Sequence, residues 1–298
     1  MNRTYKESSE PQFTLDELQK MPHPTKVLMV DPAWFDVEYV INPHMKGHIG
    51  QIDKERARWQ WQGLKEAYER LGMEVNVLDG VKGLPDMVFC ANQSLPCLDE
   101  EGNKIAVMSR MHAPQRRDEV PIVEKWLQSA GYRTLYPDLN ADESFEGMGD
   151  AIWHPGCRML WGGYGYRTSG TVYSRLADML NVPVMLLELT DEKFYHLDTC
   201  MCLLNENTVM FWPGAFTEEG LELIRTFFDT VIEVNKEEAE KLLVANAVSP
   251  DGKHVLIQRG CTDTNQKLKR AGFTVLEVDT DEFLKSGGSV FCMKLFYW

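Results

Sequence analysis

The sequence predicts an α/β fold in which five ββαβ-like modules form a closed ring. Five segments with helical periodicity each lead into an apolar, β-rich run, and helix ends recur at intervals of roughly 40 to 60 residues. A doubly wound sheet would also alternate strands and helices. The chain, however, has neither a G-x-G-x-x-G turn nor a P-loop. We therefore predict a five-bladed α/β propeller whose functional residues come from different blades and meet at its centre.

Each predicted module contains a helix that ends shortly before a strand. The helices are predicted at 53–71, 116–130, 171–180, 217–228 and 262–271. The strands that follow them are predicted at 74–78, 133–136, 183–189, 230–234 and 274–278. Gly72, Gly131, Asn181 and Gly272 follow helices because left-handed backbone geometry costs these residue types least. Extra short strands are predicted at 87–89, 104–108, 158–161, 208–211 and 255–257, and a turn at 162–165.

The length allows one large α/β domain or two ordinary ones, and we predict a single propeller domain at 26–298, preceded by a polar N-terminal extension at 1–25. The extension lacks the apolar core of a signal peptide, and no stretch is apolar enough to span a bilayer. Seven cysteines, an odd number, indicate reduced thiols rather than a disulfide framework. We expect a soluble cytoplasmic protein, and the sequence predicts no particular oligomeric state.

The net charge of the chain indicates which kinds of binding partner to expect. The chain has 45 acidic and 31 basic residues, a net charge of −14, and no Lys/Arg run longer than a pair. This balance argues against nucleic acid or an anionic membrane as a partner. A small cationic substrate fits it better, although solubility alone also accounts for the charge.

Cys292 follows the small-residue segment 286–291, which is predicted to deliver its thiol onto the end of an apolar strand. This placement suggests a nucleophile, whereas the alternative is a small buried apolar residue. His196 and Asp198 would share one face of a strand, where the acid could hold the imidazole protonated. Glu146 and Asp150 stand among glycines, which allow a close approach to a ligand or a turn with capped amides.

The remaining candidates are weaker. Cys200 and Cys202 lack a matching second pair, and the segment around His44 and His48 is a doubtful helix, so no metal site is predicted. Arg110 and Arg167 each follow an apolar strand into a polar turn. A guanidinium there suits a bidentate carboxylate contact, with a surface ion pair as the alternative.

Four motifs, in order, carry a family resemblance. They are the segments 84–89, 145–150 and 196–200 and the turn at Cys292. Together they resemble the guanidine-modifying enzymes of the pentein superfamily, which include arginine deiminases, dimethylarginine dimethylaminohydrolases, amidinotransferases and arginine dihydrolases. The resemblance spans about residues 26–295. The fivefold ββαβ propeller of that superfamily agrees with the repeat found above.

The resemblance implies roles for the matching residues. Cys292 resembles the nucleophile, His196 the general acid/base, and Glu146 the carboxylate that supports the histidine and the guanidinium. Asp198 resembles the acid that grips guanidinium nitrogens, and Asp86 matches a position that holds the substrate α-amino group.

The resemblance also implies a carboxylate clamp made by Arg110 and Arg167. The segment 38–43 resembles the arginine dihydrolases in particular, which implies that Asn42 lines the substrate pocket. No cofactor is implied.

One departure distinguishes this chain. Where deiminases and dimethylarginine hydrolases usually have a second guanidinium-binding Asp, this chain has Asn92, as the dihydrolases do. An amide both donates and accepts hydrogen bonds, so Asn92 could hold a guanidinium and then a neutral ureido group. We therefore predict an arginine dihydrolase. The alternatives are a dimethylarginine dimethylaminohydrolase or an arginine deiminase, which stop at citrulline, an amidinotransferase, and a non-catalytic binding propeller.

Overall fold

The computed structural model describes residues 3–298 and shows a mixed α/β fold. The strands of these residues are β1 (Thr4–Tyr5), β2 (Lys26–Val30), β3 (Glu74–Leu78), β4 (Ser94–Leu98), β5 (Lys104–Met108), β6 (Arg133–Leu135), β7 (Ala151–Trp153), β8 (Leu160–Tyr164), β9 (Val184–Glu188), β10 (Met201–Asn205), β11 (Thr208–Phe211), β12 (Thr230–Glu233), β13 (His254–Gln258), β14 (Thr274–Val278) and β15 (Leu295–Tyr297). The helices are α1 (Lys54–Arg70), α2 (Glu119–Ser129), α3 (Val172–Leu180), α4 (Glu218–Phe227), α5 (Lys236–Leu242), α6 (Thr262–Arg270) and α7 (Asp281–Leu284).

Across residues 3–298, hydrogen bonds join the strands into five separate sheets. In the sheet β4–β5–β6, an antiparallel pair is followed by α2 and a third strand parallel to the second. The strands β7–β8–β9 and β10–β11–β12 repeat this pattern around α3 and α4. In β15–β2–β3, the last strand of the chain pairs with β2, and α1 leads into β3. The strands β13 and β14 form a parallel pair connected by α6. The predicted ββαβ pattern is therefore present in three sheets, β15 completes it for β2 and β3, and β13 and β14 show only the βαβ part.

The five predicted helices and the strands after them are confirmed to within a few residues. Two other predictions are wrong. The segment 87–89, predicted as a strand, instead belongs to the 3-10 turn Pro85–Val88 and its C-cap residue Phe89. Pro85 at the first position of the turn favours this geometry. The predicted turn at 162–165 lies largely within β8, where Gly162 is required for packing. A Cβ on Gly162 would lie 2.6 Å from the Tyr173 ring of α3.

Helix α1 shows how the sequence defines these elements. The Asp53 side chain accepts a hydrogen bond from the Arg56 backbone and caps the helix, an arrangement typically worth about 1 kcal/mol. Leu64 and Tyr68 are buried one turn apart on the face that packs against the core. Gly72 follows with φ of 79°, the left-handed geometry that ends the helix.

The described part of the predicted N-terminal extension packs on the rest of the chain. Strand β1 pairs in parallel with β9, Lys20 forms a bridge with Cys157, and Met21 is buried. Residues 1 and 2 of the extension lie outside the described residues. Within residues 3–298, no helix is both long and apolar enough to cross a membrane.

In each of the five sheets, the segment before one strand brings one part of the site. Asn92 precedes β4, Glu146 precedes β7, His196 precedes β10, Asn246 precedes β13 and Cys292 precedes β15. Backbone hydrogen bonds join neighbouring segments directly, from Met148 to Ala91 at 2.8 Å and from Ala91 to Cys292 at 3.2 Å. Five separate sheets thus contribute side chains to one place.

Candidate active site

The Cys292 thiol is 2% exposed and lies in a turn before β15, not on the end of a strand as predicted. Its Sγ donates to Asp198 Oδ2 at 3.0 Å and accepts from Asn246 Nδ2 at 3.1 Å. The Asn246 Oδ1 accepts from the backbone N–H groups of Ser289, at 2.9 Å, and Cys292, at 3.3 Å. One amide therefore fixes both the loop and the thiol that the loop presents.

The resting state of this thiol is set by burial and by Asp198. Burial raises the pKa of Cys292 well above its usual value, and the adjacent carboxylate raises it further. Burial also raises the pKa of Asp198 to about 7, with the Cys292 hydrogen bond acting in the opposite direction. The pair favours a neutral thiol, and a cation placed beside it would favour the thiolate.

His196 is held by a fully buried carboxylate. The His196 Nε2 lies 2.7 Å from Glu146 Oε2, and Glu146 Oε1 accepts from the His112 backbone at 2.8 Å. Burial opposes ionisation of Glu146, but the Arg167 guanidinium and His196 outweigh it and hold the pKa of Glu146 well below its usual range. Asp150 Oδ2 lies 3.9 Å from the same imidazole nitrogen. Burial raises the pKa of Asp150 to about 6.

The prediction that His196 and Asp198 share a strand face is wrong. Residues Leu197–Thr199 form a 3-10 turn that begins at His196, and the two side chains have different partners. His196 contacts Glu146, whereas Asp198 contacts Cys292. The Asp198 Oδ1 has no hydrogen-bond partner among residues 3–298, so this buried oxygen can accept from a ligand.

Asn92 lies beside His196 in a fixed orientation. Its Nδ2 is 3.5 Å from His196 Nδ1, and its Oδ1 accepts from Arg116 Nη1 at 2.8 Å. A guanidinium only donates, so the Asn92 oxygen must face Arg116, and its NH2 group then faces the site. A Cβ on Gly149 would lie 2.2 Å from that nitrogen, and thus only glycine fits here.

Arg116 is itself held by buried partners. It bonds Glu119 at 2.8 Å and the carbonyls of Asp86 and Phe89 at 3.1 Å. Burial disfavours a charged Arg116, but Glu119 and Asp86 outweigh it and keep its pKa above the usual value. This cluster makes the Asn92 amide a rigid part of the site.

A narrow cavity adjoins Cys292. Its walls include the predicted residues Asn42, Asp86, Asn92 and Arg167. Asp86 Oδ1 accepts from Ser286 at 3.0 Å, and its Oδ2 has no hydrogen-bond partner within the described chain, 3–298. A small cation-bearing molecule fits this wall, since an ammonium group would supply the missing donor.

The two predicted clamp arginines differ. Arg167 lines the cavity, lies 4.8 Å above the Tyr195 ring and donates to Ile41 O at 2.8 Å. Arg110 is not among the cavity residues. It donates to the carbonyl oxygen of Glu143 at 2.9 Å and to two more carbonyls of the same loop, those of Leu139 and Asn140. The structure therefore brings Arg167 to the site and gives Arg110 a contact with loop 139–143.

Asn42 is positioned by its own backbone contacts. Its Oδ1 accepts from His44 N at 3.0 Å, and its Nδ2 donates to Ser286 O at 2.9 Å. Gly287, with φ of 85°, lies against it, and a Cβ there would be 2.9 Å from the Asn42 oxygen. Asn42 thus ties the segment 41–45 to the loop that carries the thiol.

Sequence reasoning missed three residues of the site: Arg116, Tyr195 and Asn246. Asn246 had a usable signal, because it is the one polar residue in the apolar run 243–248. Arg116 stands among other charged residues, and its role depends on the distant Asn92. Tyr195 adjoins His196 and donates to the Gly287 carbonyl at 2.8 Å.

A buried thiol, an imidazole–carboxylate pair and unpaired carboxylate oxygens lie together on a mixed α/β fold, an arrangement that suits nucleophilic catalysis on a cationic substrate. Residues 40–295 match the family described as N,N dimethylarginine dimethylhydrolase, eukaryotic. The chain belongs to this dimethylaminohydrolase-like family of the pentein superfamily, whose members include arginine dihydrolases.

Two relatives illustrate the similarity. The chain is 37% identical over 271 residues to the bifunctional arginine dihydrolase/ornithine cyclodeaminase AgrE of Nostoc, covering 91% of this chain and 37% of that protein. It is 36% identical to the N(G),N(G)-dimethylarginine dimethylaminohydrolase of Mycobacterium tuberculosis, covering 93% and 87%. This chain therefore spans little more than a third of the bifunctional protein.

A solved structure of a relative is also similar to this chain. The substrate-bound N-terminal domain of ArgZ, a cyanobacterial arginine dihydrolase, in a Cys-to-Ser variant, matches with a TM-score of 0.85 and 34% identity. The match covers 91% of this chain and 97% of that domain. The mixed α/β fold of the chain is thus the fold of that domain.

Proposed function

We propose that the protein is a cofactor-free arginine dihydrolase that converts L-arginine to ornithine, ammonia and carbon dioxide. The observation that carries this proposal is Asn92, whose NH2 group lies beside His196 while Arg116 holds its oxygen. A carbonyl oxygen needs a donor, and so this position suits the ureido group of citrulline as well as arginine. The proposal also draws on structures of the ArgZ domain, one of them an Asn-to-Ser variant covalently bonded to a reaction intermediate.

The first half-reaction begins when the guanidinium binds beside Asp198 and Cys292. Its positive charge offsets the field that holds the thiol neutral. The Cys292 proton therefore passes to solvent, and the thiolate attacks the guanidino carbon. His196, supported by Glu146, protonates the departing ammonia. Water then attacks the thiouronium carbon with His196 as the base, the C–S bond breaks, and citrulline forms.

The second half-reaction uses the same residues on the ureido carbon. Asn92 donates to the ureido oxygen as Cys292 attacks, and a second ammonia leaves with a proton from His196. Water hydrolyses the resulting thiocarbamate, and the released carbamate breaks down to ornithine and carbon dioxide. Two waters enter, and two ammonia molecules leave.

The amino-acid end of the substrate is assigned to the other wall of the cavity. We assign the α-carboxylate to Arg167 and the α-amino group to Asp86, whose Oδ2 has no partner within residues 3–298. Asn42 forms part of the same wall. Arg110 contributes indirectly, through the loop that it holds at 139–143.

The propeller is also part of this proposal. The five sheets each supply a residue to one site, and β15 joins the end of the chain to β2. This supports a ring of five blades around the cavity, with residues 26–298 as its single domain. All seven cysteines are unpaired thiols and all are buried, which supports a reducing compartment such as the cytoplasm.

Dimethylarginine hydrolysis is the second candidate, because the matched family and the mycobacterial relative carry that description. It would use the same steps but release dimethylamine and stop at citrulline. One experiment separates the two: incubate the protein separately with arginine, citrulline, dimethylarginine and agmatine, then quantify ammonia, dimethylamine, citrulline and ornithine. Ornithine from both arginine and citrulline is expected. Dimethylamine release with no ornithine would overturn the dihydrolase assignment.

A further inference from the structure

A second cavity lies behind the nucleophile loop. Its walls are mainly apolar and include Met148, Trp153, Phe291, Phe296 and Trp298, and they share no residue with the cavity at Cys292. We call it the Lys294 cavity, after the one lysine in its wall. The reaction proposed above makes no use of it.

Lys294 is the feature that the fold leaves unexplained. Its side chain is 0% exposed, yet Nζ makes no hydrogen bond within residues 3–298. The amine lies 3.1 Å from the centroid of the Phe291 ring and 4.6 Å from that of Phe296. Two ring faces only partly replace the hydration of an ammonium group, which normally has three hydrogen-bond acceptors.

A second unpaired donor lies in the same wall. The Ser249 Oγ is buried and also has no partner among the described residues, 3–298. Burial lowers the pKa of Lys294 to about 7, while the charge of Asp198 acts in the opposite direction. Asp198 is not part of this wall, so its carboxylate belongs to the nucleophile side.

We propose that the Lys294 cavity binds a small apolar carboxylate, whose anionic group pairs with the Lys294 ammonium and accepts from Ser249. Charge complementarity selects an anion, because the unpaired groups are an amine and a hydroxyl. The walls of Trp, Phe and Met select an apolar body. An inorganic anion would leave most of its oxygens against apolar walls, whereas a carboxylate presents only two.

The Lys294 cavity is close to the catalytic residues in sequence, and its lysine interacts with one of them electrostatically. Lys294 is two residues from Cys292, and its field favours the ionised form of Asp198. An anion paired with Lys294 would cancel this field. The occupant is therefore expected to lower the turnover of arginine without competing for the arginine cavity.

The test uses 3-phenylpropionate as the probe and its neutral analogue 3-phenylpropanamide as the control. Binding is measured by calorimetry, which does not depend on turnover. We expect one equivalent of the acid to bind, and the amide to bind at least tenfold more weakly. Lys294→Met should weaken the acid at least tenfold, whereas Lys253→Met, which removes an exposed lysine, should bind it as the wild type does.

Two further experiments control for misfolding of Lys294→Met and for binding of the probe in the arginine cavity. Ser249→Leu keeps the lysine but fills the cavity, so it should also lose the probe, which covers the case in which Lys294→Met fails to fold. Because the coupling is reciprocal, saturating Cys292→Ala with arginine should weaken probe binding only by a limited factor that levels off, as two separate sites require. Equal binding of acid and amide, or retained binding by folded Lys294→Met, would overturn the proposal, as would complete displacement of the probe by arginine.

Discussion

Replacing Asn92 by Asp tests the number of hydrolysis steps. The Asn92→Asp variant keeps an oxygen for Arg116 Nη1, which lies 2.8 Å from the Asn92 oxygen, but it replaces the NH2 group with a second acceptor. Against the ureido oxygen of citrulline, that acceptor has no donor. An unsatisfied buried acceptor costs about 1–3 kcal/mol. At 1.36 kcal/mol per factor of ten, citrulline hydrolysis should slow by roughly 5- to 150-fold.

The assay is the ratio of citrulline to ornithine released from arginine, together with kcat/KM for citrulline offered directly. The first half-reaction should persist, since a carboxylate also suits a guanidinium, and citrulline should accumulate. Asn103→Asp makes the same chemical change on an exposed loop and should leave the ratio unchanged. If the Asn92→Asp variant still converts arginine to ornithine at the wild-type ratio, then Asn92 does not hold the ureido group.

Three other predictions follow from the site. Arg167→Ala should lower kcat/KM for arginine far more than for agmatine, which has no carboxylate, whereas Arg110→Ala should affect both substrates alike; equal effects of Arg167→Ala on the two would refute the clamp. Burial raises the pKa of Asp198 to about 7, so below that pH the carboxyl group is protonated and no longer attracts the guanidinium. We therefore expect kcat/KM for arginine to fall as the pH decreases through about 7. A flat pH profile in this range would contradict the role of Asp198. Gly149→Ala should reduce kcat by at least about 100-fold, because its Cβ would lie 2.2 Å from the Asn92 amide nitrogen. The control Gly63→Ala, which has open space around it in α1, should stabilise the protein by about 1 kcal/mol. Near-normal turnover by Gly149→Ala would show that the Asn92 amide can move freely.

The repeated unit could be predicted because its signals are local. Helix α1 begins at a capping Asp53 and ends at Gly72, and both signals are readable within a few residues. The strands β4, β7 and β10 were not predicted. They are short and buried, so they lack the alternation that marks a half-exposed strand.

The site was predicted unevenly for a similar reason. Cys292, His196 and Glu146 could be proposed because ordered motifs carry them. The contacts between these side chains could not be predicted from the sequence. The 3-10 turn at Leu197–Thr199 directs His196 and Asp198 to different partners. Arg116 orients Asn92 through a contact 24 residues away in sequence, and no local pattern encodes such a contact.

The covalent adduct on Cys292 tests the central claim most directly. Arginine turnover is quenched in acid within milliseconds to seconds, and the peptide that carries Cys292 is analysed by mass spectrometry. We predict a mass increase equal to arginine minus ammonia, confined to Cys292 and absent from the folded Cys292→Ala variant, which should not turn over arginine. Steady hydrolysis with no adduct at any quench time, or substantial turnover by Cys292→Ala, would contradict the mechanism.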